Sequence, residues 1–142
     1  MLPTAKIVDV RREPPACCFS NFKQLYARGN DFTYSIDALA RYYNSYLRLM
    51  DHWDAVPPNR VLRINYEDLV DDLAGNVLRL LRYCELDLEP GCLQFHASSR
   101  AVNTASSEQV RQPVYSTALN QWRHFDPWLG DLKAALRREP AC

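Results

Sequence analysis

Arg12 and Ser20 are the residues whose types and spacing point most directly to chemistry. A guanidinium presents a rigid fork of donors that matches phosphate oxygens, and the hydroxyl of Ser20, eight positions on, adds one more hydrogen bond. Lys23 stands one helical turn beyond Ser20. Read blandly, the same pair is a surface arginine bonded to Glu13 and a serine facing solvent. Tyr66 opens the stretch Tyr66-Glu67-Asp68-Leu69, where a ring and a hydroxyl can stack on or hydrogen-bond an adenine. Its plain alternative is a half-buried tyrosine with its hydroxyl satisfied. Arg111 lies in Ser106-Ser107-Glu108-Gln109-Val110-Arg111-Gln112-Pro113-Val114-Tyr115, a polar segment able to fold over an anion or to be an ordinary surface loop.

The elements that must position these side chains follow from periodicity. Ile7-Val8-Asp9-Val10 is an apolar, β-branched run that predicts a buried strand ending in the basic pair Arg11-Arg12. Pro14 stops the strand and suits the first turn of a helix, which places Arg12 at a strand end and Ser20 about two turns into the helix. Helical spacing covers 15–26, and Gly29-Asn30-Asp31 breaks it. Ser35 is an N-cap for a long helix over 36–53, with Asp37 in its first turn and Pro57-Pro58-Asn59 after it. Residues 61–66 predict a second strand, with Arg63 at a less buried position. A single amphipathic helix is expected over 67–86, a short helix over 90–96, and a polar loop or lid over 97–112. Two last helices, 115–124 and 128–136, are expected on either side of Asp126-Pro127. Strands alternating with long helices imply βαβ architecture and a parallel sheet, with Tyr66 at the same sheet edge as Arg12.

Composition narrows the partners. The 142 residues suit one domain, with 47% hydrophobic and 24% charged residues. Lys plus Arg and Asp plus Glu both number 17, so the chain lacks the basic excess of a general polyanion binder, and nucleic acid is disfavoured. Cys17, Cys18, Cys84, Cys92 and Cys142 form an odd set without CxxC spacing, and with three scattered histidines they make no metal template. Reduced thiols in a cytoplasmic protein are the simpler reading. No apolar run is long enough for a membrane span, and no signal peptide is visible. The four glycines (Gly29, Gly75, Gly91, Gly130) are scattered, so no phosphate-cradling loop exists in these residues.

Taken in order, these segments resemble a family. Val10-Arg11-Arg12-Glu13-Pro14 with Ser20 looks like the 3′-phosphate-binding segment of sulfotransferases, and Asn65-Tyr66-Glu67-Asp68-Leu69 like their strand-end motif. Residues 104–115 through Trp122-Arg123 resemble the C-terminal segment of bacterial sulfotransferases often fused to tetratricopeptide repeats. The chain is more distantly similar to tyrosylprotein sulfotransferases. The resemblance spans about residues 5–137 and implies a three-layer α/β, P-loop-like fold with a parallel sheet and a helix-rich C-terminal half.

The resemblance also implies the donor 3′-phosphoadenosine 5′-phosphosulfate (PAPS) and transfer of its sulfuryl group to a hydroxyl or amine acceptor. By motif position Arg12 and Ser20 hold the 3′-phosphate, Tyr66 contacts the adenine side, and Arg111 closes the phosphate pocket. Where the tyrosylprotein branch has a second arginine four residues after the serine, this chain has Gln24, with Lys23 beside it. Gln112 stands in place of a basic residue before Pro113. The family's first strand, its phosphate loop and its general base, a Glu or His, are expected upstream of residues 1–142, which makes this stretch a partial sulfotransferase domain. His96 and His124 are the alternatives for a base within it, or plain structural histidines.

Two other classes stand beside the enzyme. One is a non-catalytic α/β module that binds a partner or an adenosine phosphate, its aromatic helix (Tyr42, Tyr43, Tyr46, Trp53) either an exposed interaction face or core packing, with self-association as a consequence of uncovered helices. The other is a nucleoside or nucleotide kinase, which needs the phosphate loop that these residues lack.

Overall fold

The computed structural model describes residues 5–26, 28–56, 60–98, 101–102, 110–114 and 119–137. The chain divides into two compact units, one built from Met1–Arg11 and Leu62–Ser116, the other from Arg12–Val61 and Thr117–Cys142.

The strand-bearing unit holds a two-stranded parallel sheet of β1 (Ile7–Arg11) and β2 (Val61–Asn65). The polypeptide between these strands runs through the helical unit, as a parallel pair requires a long crossover. The expected buried apolar strand is corrected. Val8 and Val10 are 36% and 61% exposed, and the buried position of β1 is Asp9. Period two puts Asp9 and Arg11 on one face and the valines on the other. The Asp9 carboxylate accepts from Arg11 (2.9 Å) and from Arg63 Nε of β2 (3.3 Å), so its charge is neutralised from its own strand and from the neighbour. Ile64 is the buried apolar residue of β2.

After β2 the expected single helix over 67–86 is two helices, α3 (Tyr66–Asp71) and α4 (Leu73–Cys84). The break lies at Asp72, whose backbone leaves the helical region (φ −137°, ψ 81°) and whose side chain caps α4 by accepting the Gly75 N–H at 2.9 Å. Asn76 Nδ2 donates to the main-chain oxygens of Asp68 (3.0 Å) and Asp72 (2.9 Å), fastening the end of α3 to the start of α4. Glu85 closes α4 in the left-handed region (φ 59°), and the Leu86 N–H reaches back to the Leu81 carbonyl, as in a Schellman ending. Residues 90–96 form two 3₁₀ turns, Pro90–Cys92 and Phe95–Ala97, instead of one short helix. Of the expected loop over 97–112, residues 99–100 and 103–109 lie outside the described residues.

The helical unit begins with α1 (Pro14–Phe22), shorter than the expected 15–26. Gly29 (φ 69°) and Asn30 (φ 58°) then turn the chain through two left-handed positions into a 3₁₀ turn at Asp31–Tyr34. Ser35 accepts the Ala38 N–H at 3.3 Å and starts α2 (Ile36–Ala55), as expected from its type and place. The prolines expected to end α2 lie outside the described residues. A 3₁₀ run at Gln121–Trp128 passes through Pro127, so Asp126-Pro127 does not separate two helices there. The Leu129 N–H closes that run on the Asp126 carbonyl, and α5 (Gly130–Arg137) follows. Residues 115–118, part of the other expected helix, lie outside the described residues.

Ala16, Cys18 and Phe19 of α1, Leu39, Ala40 and Tyr43 of α2, and Trp122, Leu129 and Leu132 form one apolar cluster. Tyr46 packs against this cluster, while Tyr42, 58% exposed, stacks on Phe32 (centroids 4.0 Å apart), so the aromatic residues of α2 divide between the core and the surface. Small residues Ala16 and Ala40 let the helices approach closely, and Asn44 Nδ2 ties α2 to the Ala135 carbonyl at 3.0 Å.

Candidate functional site

Arg12 and Ser20 both belong to the helical unit and both are half-buried. The backbone at Arg12 is anchored by Tyr43, whose buried hydroxyl donates to the Arg12 carbonyl at 3.2 Å. That bond fixes the main chain at the point where β1 hands over to α1. Pro14 and Pro15 occupy the first positions of α1, removing two of the N–H groups a helix start offers to an anion. Any phosphate here is therefore held by side chains more than by main chain. Ser20 sits six residues beyond Pro14, about 9 Å along the axis, and its Cα–Cβ bond tilts toward the N-terminal end, where Arg12 lies.

The basic pair is divided in role. Arg11 turns its guanidinium to buried Asp9, on the Asp9 face of β1, and Arg12 follows it at the strand end. Sequence reading missed both Asp9 and Tyr43 as supporting residues. The visible signal for the first was a carboxylate at the centre of β1 matched by Arg63 at the centre of β2. Lys23 lies at the end of α1, where its Nζ bonds the Gln121 side chain and stands 5.8 Å from the Phe19 ring centroid.

Tyr66 and Arg111 belong to the strand-bearing unit. Tyr66 is half-buried and opens α3 immediately after β2. Its turn is fixed by Asn65, whose side-chain amide donates to Asp68 at 2.9 Å, and Glu67 and Asp68 complement the helix dipole. Because β1 and β2 are parallel neighbours, their C-terminal residues Arg11 and Asn65 share one sheet edge. Arg12 and Tyr66 are the next residues in the chain after those two ends. Arg111 is exposed at a turn, without an ion-pair partner among the described residues. Much of the segment read with it, 103–109 and 115–118, lies outside them.

His96 is half-buried, with its Nδ1 buried and unbonded among the described residues, and His124 is exposed. Cys17, Cys18, Cys84 and Cys92 are free thiols. Burial, and secondarily the neighbouring Cys17, push the Cys18 thiol up to about 12, so it stays protonated and inert at neutral pH. Among the described residues no group of three His, Cys, Asp or Glu side chains is placed to hold a metal, and no helix is long and apolar enough to cross a membrane.

A sequence model of the sulfotransferase family matches residues 1–90, a stretch that contains Arg12, Ser20 and Tyr66 and stops short of Arg111. An uncharacterized protein of Aquifex aeolicus is 27% identical over 132 residues. That similarity covers 91% of this chain and 17% of the relative, so the chain spans less than a fifth of the length of the protein it matches.

Proposed function

The chain belongs to the sulfotransferase family, and from that membership we propose that it forms part of an enzyme transferring a sulfuryl group from PAPS to a hydroxyl or amine. The observation that carries the reading is the family match over the segment that bears Arg12, Ser20 and Tyr66. The donor set fits a phosphate monoester: one half-buried guanidinium, one half-buried hydroxyl on the following helix, and few helix-start N–H groups competing for the role.

In this proposal Arg12 engages the 3′-phosphate of the donor through its guanidinium fork, and Ser20 donates its hydroxyl to the same group. Tyr43 holds the Arg12 backbone still, so that little ordering is required on binding. Tyr66 presents its ring and hydroxyl to the adenine, and Arg111 supplies a further positive charge to the phosphate. PAPS, when bound, supplies the sulfuryl group: its S–O bond to the 5′-phosphate breaks and adenosine 3′,5′-bisphosphate leaves, a new S–O bond (hydroxyl acceptor) or S–N bond (amine acceptor) forms, and the acceptor proton passes to a base. The residues named here orient the donor; none is assigned the role of base. A cytoplasmic setting, where thiols stay reduced, is part of the proposal.

Calorimetric titration of the chain with adenosine 3′,5′-bisphosphate tests the reading, with adenosine 5′-monophosphate as the ligand lacking the 3′-phosphate. Arg12→Ala is expected to weaken the bisphosphate by about 10- to 100-fold, the value of a charge-assisted hydrogen bond, and to leave the monophosphate nearly unchanged. A folded Arg12→Ala chain that binds the bisphosphate as well as the wild type would remove the assignment.

A further inference from the structure

An open surface cleft of about 550 Å³ lies on the helical unit, lined by Phe22, Tyr34, Ser35, Ile36, Asp37, Asp131, Ala134 and Ala135, most of them exposed. Its volume falls in the range that holds small organic molecules. One wall is the start of α2, and the other is one face of α5, where Asp131, Ala134 and Ala135 stand at positions i, i+3 and i+4. Room is left because the α5 face carries two alanines opposite larger side chains. Phe22, 43% exposed, and Tyr34, 52% exposed, contribute ring surface. Tyr34 is held in place by its hydroxyl, which donates to the Tyr26 carbonyl at 3.2 Å.

The charges of this lining are of one sign. Asp37 and Asp131 bring carboxylates, and among the described residues no Lys, Arg or His lines it. Both acids lie in the first turn of their helix, where they already offset the positive ends of α2 and α5. Asp37 pairs with Arg41 one turn along α2, while Asp131 has no hydrogen-bond or ion-pair partner among the described residues. An anion entering here would meet two carboxylates. A neutral apolar molecule would cover those carboxylates without satisfying them. A compact metal ion would find too few oxygens and two hydrocarbon faces. A cation mounted on an apolar body suits every part of the lining: its charge complements the Asp131 carboxylate, and its body the rings and methyl groups.

We propose that this cleft binds a small organic cation, an ammonium or guanidinium group carried on an aromatic or short aliphatic body. The site uses none of the residues assigned to the donor and stands or falls independently of them.

Two probes of matched shape test it, 2-phenylethylammonium and the neutral 2-phenylethanol, each titrated into the folded chain while amide shifts are followed by NMR. The ammonium is expected to bind about five- to tenfold tighter than the alcohol, to shift the amides of Ser35–Asp37 and 131–135, and to weaken with added salt. Asp131→Asn should remove most of that preference. Arg41→Ala, at an exposed position, should tighten the ammonium by releasing Asp37. Ala134→Leu, also exposed, should block both probes without loss of fold. Equal affinity for the two probes, or a folded Asp131→Asn chain that keeps the preference, would overturn the proposal, as would shifts confined to other parts of the molecule.

Discussion

Leu132, Cys18 and Ala40 are each about 1% exposed in the helical unit, where they belong to one continuous apolar cluster. In the strand-bearing unit the most deeply buried of the described side chains are Ile64 and the carboxylate of Asp9. The first unit is held by volume: α1, α2, α5 and Trp122 exclude water from a shared interior. The second is held by pairing: Asp9 with Arg11 and Arg63, Asp72 with the Gly75 N–H, Asn76 with two carbonyls. The proposed donor contacts follow the same division, Arg12 and Ser20 on the packed unit and Tyr66 and Arg111 on the paired one.

The sharpest way to break this contrast is to damage each unit in its own currency. Leu132→Ala removes a fully buried side chain from the helical cluster and is expected to cost about 3 kcal/mol, read as a lower urea midpoint. Asp9→Ala leaves two guanidiniums facing each other across the sheet. It is expected to cost about 2–3 kcal/mol, toward the low end for a broken ion pair because the Arg63 side chain is about a third exposed. High salt should change the wild-type stability little if Asp9 is as buried as described, and hydrogen exchange should report the Asp9 loss on β1 and β2 first. An Asp9→Ala chain that unfolds at the wild-type midpoint would end the idea that the sheet depends on this charge.

The pH dependence separates the units again. In the folded helical unit Cys18 keeps its proton to about 12, while in the unfolded chain the thiol ionises from its ordinary value of 9.0. Between those values the unfolded state releases a proton that the folded state retains, so stability falls as pH rises through that window and is fully present below it. The loss should approach about 3 kcal/mol by pH 11. Cys18→Ala should flatten this part of the profile relative to wild type, and a profile unchanged by the substitution would show that Cys18 is more accessible than the fold implies.

Where the sequence was legible, a local rule coincided with the tertiary outcome. Ser35 capped α2 and Asp37 entered its first turn as their types dictate, and Cys17 and Cys18 separated into a half-buried and a buried neighbour as adjacent helical residues must. Tyr66 stood at a strand end because β2 was bounded by its own pattern. β1 was misread because hydrophobicity alone assigns Val8 and Val10 to the interior, while the inward face was decided by the match between Asp9 and Arg63 on the next strand. That match is a property of pairing and register, which periodicity within one strand does not contain. The passage through Pro127 was missed for a related reason: proline forbids an α-helical hydrogen bond but not a 3₁₀ run that closes beyond it. Of the proposed donor site, the places of Arg12 and Tyr66 directly after strand ends were legible. The pairing of Arg11 with Asp9 was not, since it depends on a buried carboxylate two residues earlier.

The break between α3 and α4 gives the smallest and most local test of the pairing account. The apolar stripe runs on through Leu69, Leu73 and Val77 without interruption, so amphipathicity predicts one helix. Two helices form because Asp72 prefers to cap, and it can do so only if Gly75 leaves space: a Cβ at Gly75 would stand 2.1 Å from Asp72 Oδ2. Gly75→Ala therefore sets two effects in opposition. Alanine favours the helix interior by up to about 1 kcal/mol, whereas it expels the capping carboxylate, a loss of about 1 kcal/mol or more. If capping by Asp72 dominates, Gly75→Ala lowers stability by up to about 1 kcal/mol, and the double variant Asp72→Ala with Gly75→Ala recovers part of that loss, because the clash has gone. If the continuous stripe dominates, Gly75→Ala is neutral or stabilising and helical content rises by circular dichroism. That second result would mean the strand-bearing unit gains more from unbroken helix than from the polar contacts that now divide it.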